Sequence, residues 1–221
     1  MSDQHSVPRP RRRFAPLLIV AGLASAVVLS LSMTNTLSAF TAAITNSNDT
    51  AASGTVVLQE INTATGNTTC NSTDTTPANT AGVNTNTFNC STINKYGGLT
   101  KMVPGSSVTT NLTFGNTGTA PAATFTLAAN ACTQSTNGAL NGNATDFCAK
   151  LNVLVASGGT TIYNGTAAAF SGATTPTPFT LPLPAPGATI PITITVTLAT
   201  TAGNTYQGLA ASQPLVWSLS T

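Results

Sequence analysis

Ile190, Ile192, Ile194, Val196 and Leu198 alternate with Thr193, Thr195 and Thr197. That strict period of two places the five apolar side chains on one face of an extended segment and threonines on the other, the signature of a half-buried β-strand over 190–198. Residues 108–114 repeat the pattern with Val108, Leu112 and Phe114. Shorter runs rich in β-branched and apolar residues predict further strands at 54–61, 123–128, 151–156, 160–163 and 215–219. Phe40, Ala42 and Ile44 also alternate. Between these runs stand turn sequences: Pro104-Gly105, Asn116-Thr117-Gly118, Ser157-Gly158-Gly159, Pro186-Gly187 and Ala202-Gly203-Asn204. After residue 40 no helical period is sustained, and one short helix is expected near Asp146, Phe147 and Cys148. Residues 174–186, rich in proline, read as extended or loop, and 62–89 as an exposed Asn/Thr loop. Many short strands divided by such turns predict an all-β protein, a sandwich or a barrel.

The first 39 residues read differently. Arg9, Arg11, Arg12 and Arg13 form a basic flank, an apolar stretch runs from Phe14 to Leu31, and Leu37-Ser38-Ala39 offers a small-residue exit. These are the parts of a cleaved secretory signal peptide, residues 1–39, with the cut between Ala39 and Phe40. The competing reading is a retained membrane anchor, but Ser25 and Ser30 interrupt the stretch and leave it short for a span. Arg11-Arg12-Arg13-Phe14 also has the look of a short twin-arginine signal. On the favoured reading the membrane is met only through the signal peptide before cleavage. Leu37, third before the cut, departs from the usual small residue there, so a general signal peptidase is a poor fit.

Composition sharpens the picture of the remaining chain. Charged residues make up 5% of the 221-residue chain, against about a quarter in ordinary domains. All the arginines and the single histidine, His5, lie in the leader. From Phe40 onward the charges are Asp49, Glu60, Asp74 and Asp146 against Lys95, Lys101 and Lys150. No basic stripe is left to neutralise phosphates, which argues against nucleic-acid binding. Without histidine or arginine, a Ser-His-Asp triad, a histidine-ligated metal and a bidentate phosphate clamp are unavailable. The carboxylates are scattered rather than paired for glycoside hydrolysis. The chain is therefore expected to be non-enzymatic, with no cofactor and no metal. Seven Asn-x-Ser/Thr sequences follow from a composition rich in Asn and Thr. Tyr96, Tyr163, Tyr206 and Trp217 could form a carbohydrate platform, although aromatics spread singly along strands more often serve a core or an interface.

Four cysteines, Cys70, Cys90, Cys132 and Cys148, fit two disulfides in an exported chain. Three connectivities are possible. The local pairs Cys70–Cys90 and Cys132–Cys148 are favoured because each closes a polar insertion, within 62–100 and 133–150 respectively. No Cys-x-x-Cys spacing supports a metal site.

Several short motifs occur in a suggestive order. Leu37-Ser38-Ala39-Phe40 is followed by Ala52-Ser53-Gly54-Thr55-Val56-Val57-Leu58, by Val103-Pro104-Gly105, by Phe114-Gly115-Asn116-Thr117-Gly118, and by Gly203-Asn204-Thr205-Tyr206-Gln207-Gly208. Together they resemble the TasA/camelysin-type, SipW-processed secreted fibre proteins of biofilm matrices. The chain differs from charge-rich members of that family in its cysteines and its scarcity of charge. The resemblance implies a jelly-roll-like antiparallel β-sandwich over 40–221, cut free by a dedicated signal peptidase, and polymerising head to tail outside a Gram-positive-type bacterium. It also implies the metallopeptidase activity attributed to camelysins, which is not carried over to a chain without metal-binding histidines. Phe40, Ala42 and Ile44, on a freed strand over 40–45, are the expected donors to a neighbouring subunit's sheet edge. Such a heterologous contact does not close and builds a filament. The alternative function is a monomeric cell-surface adhesin or carbohydrate-binding module.

Overall fold

In the computed structural model, residues 50–64, 66–75, 86–171 and 179–221 are described. Eleven strands fall among them: β1 Leu58–Asn62, β2 Thr68–Asn71, β3 Ser107–Asn116, β4 Thr124–Ala129, β5 Thr133–Thr136, β6 Leu151–Ser157, β7 Thr160–Thr166, β8 Phe179–Thr180, β9 Thr189–Leu198, β10 Leu209–Ser212 and β11 Leu215–Ser220. The helical pieces are short, a four-residue helix at Ala167–Phe170 and 3-10 turns at Phe147–Lys150 and Asn204–Tyr206.

A six-stranded sheet runs β2-β1-β3-β9-β6-β7, a three-stranded sheet β11-β4-β8, and a two-stranded sheet β10-β5. All strand pairings are antiparallel. The fold is an all-β antiparallel sandwich with jelly-roll character, visible in how the ladders continue from sheet to sheet. β3 pairs with β9, and the ribbon passes on as β4 against β8. In the same way β6 against β9 passes on as β5 against β10 and then β4 against β11.

The period-two pattern of β9 buries Ile192, Ile194, Val196 and Leu198, while β3 contributes Leu112 and Phe114 and β6 Leu151, Val153 and Val155. Against them lie Phe125, Leu127 and Ala129 of β4, all fully buried. Phe114 is the hub, with ring centroids 5.5 Å from Phe125 and 4.3 Å from Trp217. A proline in a central strand needs explaining, because it lacks a ladder donor. Pro191 lies beyond the end of β6, whose register on β9 stops at Ala156 opposite Thr193. There Ser157 Oγ donates to the Pro191 carbonyl instead, at 2.9 Å.

Some expectations need correcting. The segment 54–57 is not strand: it runs beside the turn after β3, and the ladder begins at Leu58. The insertion 62–100 holds β2, and the insertion 133–150 opens with β5. Both strands are polar and four residues long, so periodicity gave no signal for them. The helical turn expected near Asp146 is the 3-10 turn at Phe147–Lys150.

Candidate functional site

The second layer is narrower than the first, and its outer strand is unusual. Among the described residues nothing pairs with the far side of β11. Its inward residues Leu215, Trp217 and Leu219 sit opposite Ala129, Leu127 and Phe125, which are all fully buried. Leu215, Trp217 and Leu219 themselves are only partly buried, and outward-facing Val216 is half exposed. The Trp217 indole N–H is buried with no acceptor among the described residues. An open backbone edge, a row of half-covered apolar side chains and an orphaned donor thus coincide on one strand. Unpaired edge groups of this kind are what an added strand satisfies.

The segment before β1 runs along the turn that follows β3. Asn116, fully buried at the end of β3, organises the junction. Its Oδ1 accepts from Gly118 N at 3.0 Å and Val57 N at 3.4 Å, and its Nδ2 donates to the Ala120 carbonyl at 2.9 Å. Thr117 N and Thr119 N donate to the carbonyls of Val57 and Thr55. A Cβ on Gly118 would lie 2.1 Å from the Thr55 oxygen, so only glycine permits this approach. The Gly54-Thr55 and Asn116-Thr117-Gly118 motifs, far apart in sequence, are therefore two halves of one clamp. The Gly203–Gly208 motif does similar work at the opposite end of the strands. Tyr206 Oη donates to Asp146 at 2.7 Å, and Gly142 N and Ala144 N donate to the carbonyls of Gln207 and Thr205. The hydrogen bond to the Asp146 carboxylate pushes the Tyr206 phenol above its ordinary value.

Cys70 is joined to Cys90 and Cys132 to Cys148. No free cysteine remains. Beside the first disulfide, Lys95 Nζ lies 3.2 Å from Glu60 Oε1, the one ion pair found among the described residues. Glu60 is buried on the core side of β1, opposite Cys70 and Phe114. Burial raises its carboxyl above the ordinary value, and the Lys95 charge lowers it in part.

Ala39, Phe40, Ala42 and Ile44 lie outside the described residues. Of the four aromatics considered as a carbohydrate platform, Tyr96 and Tyr206 line one cleft, and Tyr163 and Trp217 do not. Trp217 packs on Phe114 and Phe125, Tyr163 stacks on Phe170 at 4.1 Å, and Tyr206 faces Phe147. Tyr96 is half-buried and donates its hydroxyl to Gln213, and burial raises its phenol. The β11 edge was not legible as a site, because an edge strand and an interior strand carry the same alternation. No cluster of metal-ligating side chains occurs among the described residues, and no helix among them is long and apolar enough to cross a membrane. Compared with protein-family models and with curated proteins, the chain matches none.

Proposed function

We propose that this protein is a non-enzymatic structural subunit, exported to the cell surface or extracellular matrix, whose N-terminal strand completes the β11 edge of a neighbouring copy. The observation that carries the reading is the open β11 edge with its half-buried Leu215, Trp217 and Leu219. Phe40, Ala42 and Ile44 would supply three side chains at the same period of two. The Trp217 N–H would gain a backbone carbonyl as acceptor, and an unmade buried hydrogen bond costs about 1–3 kcal/mol. Two disulfides suit an oxidising compartment, and the motif resemblance to TasA/camelysin-type fibre proteins points the same way. In this assembly a dedicated signal peptidase frees the strand by cutting before Phe40.

Donation is weighed against the entropy of ordering. Burying the Phe and Ile side chains contributes about 1.5–3 kcal/mol each, and fixing each freed residue costs roughly 1–2 kcal/mol. The margin per junction is small, so assembly is expected to depend on concentration. Negative-stain microscopy of the extracellular chain, compared with a chain starting at Asn46 and with Phe40→Asp, tests the reading. Filaments are expected from the first and soluble, folded monomers from the other two. Monomers from the untruncated chain would mean that the strand folds back on its own edge. Filaments from the truncated chain would mean that another surface makes the contact.

A further inference from the structure

At the end of the strands away from Asn116, the loop carrying Tyr96, Leu99 and Met102 stands over a cleft of about 600 Å³. That volume falls among small-ligand sites. Its floor is core, with Leu151, Val196 and Leu198, and its rim is amide-rich, with Asn94, Asn137, Asn204 and Gln207. Two of these amides shape the loop: Asn94 Oδ1 accepts from Tyr96 N at 3.0 Å, and Asn137 Nδ2 donates to the Thr100 carbonyl at 2.8 Å. Their other polar atoms, Asn94 Nδ2 and Asn137 Oδ1, have no partner among the described residues and offer one donor and one acceptor. Lys101 is the only charged residue on the lining, and it is exposed and unpaired among the described residues.

We infer that this cleft binds a saccharide, and that Lys101 favours one bearing a carboxylate. A sugar ring presents an apolar C–H face and a rim of hydroxyls that both donate and accept, which matches an aliphatic and aromatic floor ringed by amides. A wholly apolar ligand would strip water from those amides without replacing their hydrogen bonds. A phosphate-bearing ligand would meet one lysine and no arginine, short of the charge that phosphate sites assemble. The site is independent of the fibre reading, since it lies at the opposite end of β3 from the clamped N-terminal segment.

Backbone amide NMR of the chain carrying Phe40→Asp, which is expected to stay monomeric, titrated with trigalacturonic acid and with maltotriose, tests the inference. Resonances of Tyr96, residues 99–102 and Gln207 are expected to shift with both sugars, and at lower concentrations of the acidic one. Lys101→Ala is expected to weaken trigalacturonic acid binding about two- to fivefold, the worth of one exposed charge pair, and to leave maltotriose unchanged. Exposed Gln207→Ala is expected to weaken both. The inference is overturned if neither sugar moves these resonances, or if the shifts fall elsewhere on the protein. It is equally overturned if only a synthetic Phe40-Thr41-Ala42-Ala43-Ile44 peptide occupies the cleft, which would make it a docking site for chain segments.

Discussion

The two layers of the sandwich are written in the same alternating code and end in different physical states. In the six-stranded sheet, β3 and β9 each have a neighbour on both sides, and Phe114, Ile192 and Ile194 have no exposure at all. That sheet's outermost strands are restrained as well. β2 is four residues long and tied through Cys70 to Cys90, and β7 runs into the helix Ala167–Phe170, where Tyr163 stacks on Phe170. The β11-β4-β8 sheet has one strand of two residues, and among the described residues nothing pairs with the far side of β11. The deepest burial is thus in the broad layer, and the proposed site of association is in the narrow one. Alternation decides which side chains face inward, and the number of neighbouring strands decides how far those are covered.

The sharpest way to break this comparison is to truncate matched side chains across it. Leu112→Ala, on the buried row of β3, is expected to cost about 2–5 kcal/mol of unfolding free energy in a denaturant titration. Leu219→Ala, on the half-covered row of β11, is expected to cost about 1–2 kcal/mol, because the site is already partly solvated. Equal losses would mean that β11 is as enclosed as β3. Next in size are the disulfides. Their sequence separations of 20 and 16 differ too little for chain entropy to distinguish them. Cys70→Ala with Cys90→Ala, and Cys132→Ala with Cys148→Ala, are each expected to cost about 3 kcal/mol. A much larger loss for the first pair would show that the adjoining Glu60–Lys95 contact depends on it.

A smaller effect follows from Glu60. Its folded value is raised above the ordinary 4.5, so between the two values the native state holds more proton than the unfolded chain. Its contribution to stability is then fullest below about pH 4.5 and declines as pH rises through the folded value. Glu60→Gln is expected to flatten that part of the stability–pH curve. A wild-type curve rising with pH for this group would contradict the assignment. The smallest change in stability is expected from Val216→Lys, within about 0.5 kcal/mol. Filaments visible by microscopy are nonetheless expected to be lost, since a charge on an edge strand opposes added strands. Unimpaired filaments would move the contact away from β11.

The sequence disclosed the long strands best. Residues 190–198 and 108–114 carry alternation strong enough to identify β9 and β3 within a few residues. It disclosed β2, β5, β8 and β10 not at all, because Thr-Thr-Cys-Asn or Thr-Gln-Ser-Thr takes strand form only from the ladder beside it. The end of β3 was legible as a turn from Asn116-Thr117-Gly118, but its engagement of Thr55 and Val57 was not, since no local pattern encodes a contact made through backbone carbonyls. The β11 edge and the cleft under Tyr96 belong to the same class. Both are properties of which elements become neighbours.

The clamp around Asn116 has a mechanical consequence. In a filament built as proposed, tension reaches each subunit through the segment before residue 55. The pull is taken up by the bonds from Thr55 and Val57 to the turn after β3, and by β1 lying antiparallel along β3. Force along that direction loads the β1–β3 ladder in shear, so several backbone bonds resist together instead of opening one after another. A fibre drawn from its ends would then yield at the junctions between subunits before the subunits themselves unravel.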